Sequence, residues 1–186
     1  IMIFYGKEVE NDEKIEKEIP NVVTEKLLKS RTIFISGEIN QALAEKVSTQ
    51  LLILEEMSDD PITIFINSQG GHVEAGDTIH DIIKFVKPKV NIVGTGWVAS
   101  AGITIYLAAE KENRYSLPNT RYMIHQPLGG FNGQATDIGI EAEEILRVRK
   151  RINKIISDAT GQPLEKVEKD TDRNYWLNAY DAVNYG

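Results

Sequence analysis

A chain of 186 residues and 20.9 kDa is long enough to bury one real core, and 26% charged with 41% hydrophobic residues excludes a disordered or fibrous protein. Its 28 acidic and 21 basic residues leave a net charge of −7, which argues against a nucleic-acid footprint, because phosphate binding needs clustered positive charge. With no cysteine there can be no disulfide, thiolate zinc site or cysteine nucleophile, which is consistent with a reducing compartment.

The apolar start, Ile1 to Tyr5, is too short for a signal-peptide core, and no window approaches 18 uncharged apolar residues, so no membrane span is expected. Residues 1–20, charge-dense from Lys7 to Glu18, read as a mobile arm ahead of one domain over 21–186. Thr24 can cap a short helix through Leu28. Thr32 to Ser36 is β-branched and aromatic and predicts a strand. Asn40 caps a helix over Gln41 to Met57, with Leu43, Val47, Leu51 and Leu54 on one face, and Asp59-Asp60-Pro61 ends it. Ile62 to Ile66 predicts the next strand, Asn67 to Gly71 a turn, and Val73 to Val86 a helix. Lys89 to Val93 predicts a third strand and Gly94-Thr95-Gly96 a second turn, before a small-residue helix opened by Val98 to Gly102 and running to about Ala109. Strand and helix thus alternate three times, which implies parallel strands in an α/β domain. Two short strands, Arg114 to Leu117 and Arg121 to His125, precede the glycine-rich stretch Gly129 to Gly133. A helix over Gln134 to Ala159 is longer than compact packing needs and is expected to project toward another subunit.

Ser100 falls where an apolar helix begins, at the positive end of its dipole and beside free backbone N–H groups suited to an oxyanion. Position alone favours a plain N-cap serine, and the Gly-x-Ser-x-Gly elbow is absent. His125, closing a strand before a glycine-rich loop, fits a general base or a satisfied structural histidine. His80 reads as a solvated helix residue, whereas His72 follows Gly70-Gly71 with its role open. Two glycines after a buried strand let the backbone approach a ligand or simply turn. A phosphate cradle lacks the P-loop and GxGxxG patterns, and no metal-ligand spacing is present.

Four blocks occur in order: Ile66-Asn67-Ser68-Gln69-Gly70-Gly71, Gly96-Trp97-Val98-Ala99-Ser100-Ala101-Gly102, Met123-Ile124-His125-Gln126-Pro127-Leu128-Gly129-Gly130 and Lys169-Asp170-Thr171-Asp172-Arg173. Together they resemble the ClpP family, the serine peptidase subunits of the ATP-dependent Clp protease, from about Asn21 to Gly186. The resemblance implies an α/β, ClpP/crotonase-like fold of repeated β-β-α units with a projecting handle over about 127–160. It makes Ser100 the nucleophile, His125 the general base, Asn174 the third triad member, and the N–H groups of Gly71 and Ala101 the oxyanion hole. Gly70, His72, Val73, Leu128 and Gly129 become substrate-binding residues that pair with an extended peptide. Asp172 and Arg173 match a ring-to-ring ion pair, and Leu52, Phe65, Phe85 and Tyr115 match the apolar surface that docks the unfoldase.

The sequence also departs from that family. Asn174 stands where Asp is usual, Gln69 where proline is, Ala101 where methionine is, and Thr63 where an aromatic is, and the chain ends at Gly186, short of the usual C-terminal segment. The implied assembly is a heptamer or double heptamer (tetradecamer) in the cytoplasm, without cofactor or metal, fed unfolded polypeptide by an AAA+ unfoldase. An Asn-containing triad resembles divergent paralogues that work in hetero-oligomers beside a second, Asp-containing ClpP subunit. The alternatives are a near-silent structural or regulatory ring subunit and a crotonase-type acyl-CoA enzyme sharing the fold.

Overall fold

A computed structural model describes residues 22–186; the arm expected over 1–20 lies outside them. Helix α1 spans 22–29, so Thr24 sits inside it rather than capping it. There follow β1 (Thr32–Ile39), α2 (Gln41–Met57), β2 (Ile62–Gly71), α3 (Val73–Phe85), β3 (Val90–Ala99) and α4 (Ala101–Tyr106). A 3-10 turn at Lys111–Asn113 leads into β4 (Arg114–Ser116) and β5 (Arg121–Ile124). The chain closes with α5 (Ala135–Thr160), α6 (Leu164–Asp170), β6 (Tyr175–Asn178) and α7 (Ala179–Tyr185). The last two short helices and β6 carry no clear period and were not expected from sequence.

The sheet order is β1-β2-β3-β5-β6, with β4 beside β3; every pairing is parallel except β5–β6. Alternate residues of β1 and β2 turn inward, and Ile33, Ile35, Ile62, Ile64 and Ile66 are buried. Helix α2 presents Ala44, Val47, Leu51 and Leu54 to that core, and Asn40 accepts the Leu43 N–H at 3.0 Å as its N-cap. Helices α2, α3 and α4 pack side by side, with α2 on β1 and α4 on β2 and β3.

The turns expected at Asn67–Gly71 and Gly94–Gly96 are instead places where the ladder skips and resumes. Register shifts between Ser36 and Glu38 on β1, and between Ile66 and Ser68 on β2. Each of the first three strands is therefore two ladder runs followed by a helix, which is the expected β-β-α unit. The first run of β3 pairs with β4 and the second with β5. The second runs all end at one edge, and that edge carries the site. Helix α5 buries Ile152, Asn153 and Ile156, whereas no residue from Ala135 to Arg151 is buried, as a projecting handle requires.

Helix α2 ends at Ser58 without a glycine, and its last carbonyls are met from another element. Arg31, at φ 52, donates to the carbonyls of Leu54 (2.8 Å), Ser58 (3.0 Å) and Asp60 (3.0 Å). Truncation to Arg31→Ala removes three charge-assisted bonds and should lower unfolding free energy by about 1–3 kcal/mol in chemical denaturation at fixed protein concentration.

Candidate active site

The motif residues first build the loop beneath the site. Ser68 is fully buried; its hydroxyl donates to the Gly37 carbonyl at 2.5 Å and accepts the Gly70 N–H at 3.0 Å. Asn67 accepts the Trp97 N–H through Oδ1 at 3.3 Å, tying β2 to β3 across the register skip. Gly70 has φ +97, and a Cβ there would stand 2.5 Å from Ser100 Cβ. Gly71 faces Ile39 so closely that a Cβ would enter the Ile39 backbone. The two glycines are thus needed for close approach, one to Ser100 and one to β1.

Ser100 is the joint between β3 and α4. It adopts φ 55 and ψ −123, a region that non-glycine residues rarely occupy, and its N–H donates to the Met123 carbonyl at 3.0 Å. No side-chain capping bond is formed, so the N-cap alternative for its hydroxyl fails. The Ser100 hydroxyl instead lies 2.8 Å from His125 Nε2, and His125 Nδ1 lies 3.1 Å from Asn174 Oδ1. An amide oxygen only accepts, so Nδ1 carries the ring proton and Nε2 accepts from the serine hydroxyl.

Register explains the meeting of distant residues. The antiparallel β5–β6 ladder ends at Ile124↔Tyr175, and one step further His125 faces Asn174. Gln126, passed over in the sequence, fastens this junction: its N–H donates to the Thr171 carbonyl at 2.6 Å and its side-chain amide to the Asp172 carbonyl at 2.7 Å. Buried Thr171 in turn donates to Asn153 Oδ1 on α5 at 2.9 Å. A polar side chain directly after a candidate histidine was the only signal for this. Ser100 and His125 are half-buried, whereas Asn174 is exposed. Beside them lies a small, narrow apolar pocket with Val73, Ile124, Pro127, Ile152 and Ile156 among its walls.

The remaining expected residues fall in several places. His72 is exposed, with Nδ1 3.2 Å from Glu74 Oε2 at the start of α3. His80, expected to be solvated, keeps only 13% of its side chain exposed and lies 3.1 Å from Asp81. Leu128 and Gly129 are exposed, and Gly129 rides on Ile145 of α5. Asp172 accepts from Arg149 at 3.3 Å within the same chain, and exposed Arg173 reaches the Asp172 carbonyl at 3.4 Å. Phe65 stacks on Phe34 with centroids 5.1 Å apart, and the register row Phe34↔Phe65↔Val93↔Tyr115 crosses four strands. Leu52 and Phe85 are exposed on α2 and α3. Among the described residues no cluster of side chains could hold a metal ion.

A hydroxyl on a strained strand-to-helix elbow, an imidazole on it and an amide behind the imidazole place the molecule among the serine peptidases. The family model described as Clp protease matches residues 15–186, and the chain belongs to that family. It is 58% identical to the ATP-dependent Clp protease proteolytic subunit 3 of Rhizobium etli, over 95% of this chain and 92% of that protein. Identity is 54% to proteolytic subunit 2 of Pseudomonas aeruginosa, over 86% of this chain and 79% of that one. Two solved structures from Listeria monocytogenes, ClpP1 and an Asn-to-Asp mutant of ClpP1, are each 68% identical, with TM-scores of 0.80 and 0.83; each alignment covers 88% of this chain and 92% of that one.

Because Gly70 leaves no room for a methyl group, Gly70→Ala should push Ser100 off His125. Phosphonylation of Ser100 by a fluorophosphonate, with loss of fluoride, should fall by about 100-fold or more, read by intact mass, while the far-ultraviolet dichroism of the fold persists.

Proposed function

We propose that the chain is a serine endopeptidase subunit that hydrolyses unfolded polypeptides and short peptides by acyl transfer through Ser100. The observation that carries this is His125 bridging Ser100 at 2.8 Å and Asn174 at 3.1 Å. His125 Nε2 takes the hydroxyl proton as Ser100 Oγ attacks the scissile carbonyl, then returns it to the leaving amine. The oxyanion forms between the N–H groups of Gly71 and Ala101; the latter begins α4, where the first N–H groups have no partner inside the helix. Water then cleaves the acyl-serine by the reverse sequence. An extended substrate would pair with the backbone of Gly70-Gly71-His72-Val73 on one side and of Leu128-Gly129 on the other, which tolerates many side chains.

The chain would work in the cytoplasm as a heptamer or double heptamer beside a second ClpP subunit. An AAA+ unfoldase would dock on the row through Phe65 and Tyr115 with Leu52 and Phe85 nearby. Exposed Arg173, beside Asp172, suits a contact to an opposing ring. Charge reversal in Arg173→Glu should shift sedimentation toward single rings with little peptidase activity; unchanged double rings count against that contact.

Asn174 limits the intrinsic rate. In a serine triad the carboxylate holds the histidine tautomer and stabilises the imidazolium formed as Ser100 loses its proton; an amide does only the first. Asp→Asn in the trypsin-type triad costs about 10⁴ in rate, roughly 5–6 kcal/mol. Peptidase activity should therefore be low near neutral pH, and Asn174→Asp should raise hydrolysis of a small fluorogenic peptide by about 10²–10⁴ at matched oligomeric state. No gain there, with loss in Asp172→Ala, would name Asp172 as the third member.

The second reading, a near-silent ring subunit, is favoured by the Asn174 amide itself. Single-turnover labelling separates the two: Ser100→Ala should abolish fluorophosphonate or β-lactone labelling and peptide hydrolysis while assembly persists. An unlabelled wild-type chain supports the silent subunit.

A further inference from the structure

One ion pair joins the two helices whose side chains face each other across the pocket beside Ser100. Asp77 on α3 accepts from Arg151 Nη2 on α5; their side chains are 19% and 50% exposed. Val73 lies one helical turn before Asp77 and lines the pocket on the α3 side. Ile152 directly follows Arg151, and Ile156 lies a turn further on; both line it on the α5 side. Helix α3 packs closely on the start of α4, where glycine is needed because a Cβ on Gly76 would stand 3.1 Å from Ala101 Cβ. Helix α5 is anchored at the pocket by buried Ile152, Asn153 and Ile156, but none of its residues from Ala135 to Arg151 is buried. Its tilt against α3, and with it the spacing of the two walls, therefore depends on what ties α5 to α3 at Arg151, where the buried part ends.

The pocket itself suits a short apolar side chain. Thr104 offers no free donor there, because its hydroxyl is given to the Ala101 carbonyl at 2.8 Å. Burial raises the Asp77 carboxyl above its ordinary range; Arg151 opposes this, Asp81 and Glu74 add to it, and His80 opposes it. A partly desolvated pair of this kind is costly to break from one side only.

We propose that the Asp77–Arg151 pair sets the width of this pocket, and through it the size of the substrate side chain accepted beside the scissile bond. The two are positioning residues for specificity, and the proposal rests on Ser100 as the nucleophile. The test is the acylation rate of Ser100 by p-nitrophenyl acetate, isovalerate and hydrocinnamate, followed as a single-turnover burst in the assembled protein. Wild type should favour isovalerate over hydrocinnamate by about tenfold or more, the scale of a size difference in an apolar pocket. Asp77→Asn and Arg151→Gln should each erase most of that ratio while leaving the acetate rate unchanged, and the charge-exchanged double variant Asp77→Arg with Arg151→Asp should recover it. Lowering pH to protonate Asp77 should erode the ratio in wild type and leave Asp77→Asn flat, an arm that depends on no destabilised variant. Single variants that keep the ratio, or that slow all three esters equally, overturn the proposal. A burst retained by Ser100→Ala overturns the nucleophile instead and is read separately from the ratio.

Discussion

The site depends on one backbone hydrogen bond, from the Ser100 N–H to the Met123 carbonyl at 3.0 Å. It carries the parallel β3–β5 pairing one residue beyond Ala99↔Met123, into the elbow itself. A non-glycine residue at φ 55 and ψ −123 costs about 1–3 kcal/mol, so the elbow persists only because its neighbours over-determine it. β5 supplies the carbonyl that holds the serine, and the residue just past its end is the histidine that meets it. β6 on its other side runs antiparallel and delivers Asn174 to the same edge. Three side chains far apart in sequence converge because one short strand is paired in opposite senses on its two flanks.

Much of this was legible in the residues. The boundaries of α2 agree to the residue, since Asn40 and Pro61 are strong punctuation, and the three strand–helix alternations gave a parallel α/β domain. The glycines of Asn67–Gly71 and Gly94–Gly96 misled, because a glycine that permits a register skip looks the same as one that reverses the chain. Only the neighbouring strand, distant in sequence, decides between them. Residue type and position point to Ser100 and His125, yet position alone favours an N-cap for Ser100 and suits a structural histidine as well for His125; only the family blocks tip the balance. The row Phe34↔Phe65↔Val93↔Tyr115 depends on register, so nothing in the sequence alone joins Phe34 and Val93 to Phe65 and Tyr115. β6 escaped notice too: Tyr175, Trp176 and Asn178 are exposed and only Leu177 is buried, which leaves too little alternation to read.

Asn174 separates two tasks that an aspartate performs together. Its Oδ1 at 3.1 Å from Nδ1 gives the orientation that the serine needs, but it brings no negative charge to the imidazolium. Its exposure sharpens the contrast, since water solvates an ion near this residue as readily as the amide does. The side chains around His125 therefore have the arrangement of a triad, while the charge that an aspartate would bring is missing.

Helix α5 has a further consequence. Asn153, which receives the Thr171 hydroxyl, and Ile152, which walls the pocket, sit just past seventeen residues with no buried side chain. Such a stretch has little local free energy holding it closed, so it opens and recloses far more often than the core. Whatever covers that stretch in an assembly lends order to the pocket from a distance, and does so by mass action. In such an assembly the firmness of the pocket would become a function of dilution: a crowded solution and a dilute one would hold chemically identical chains whose sites differ in order.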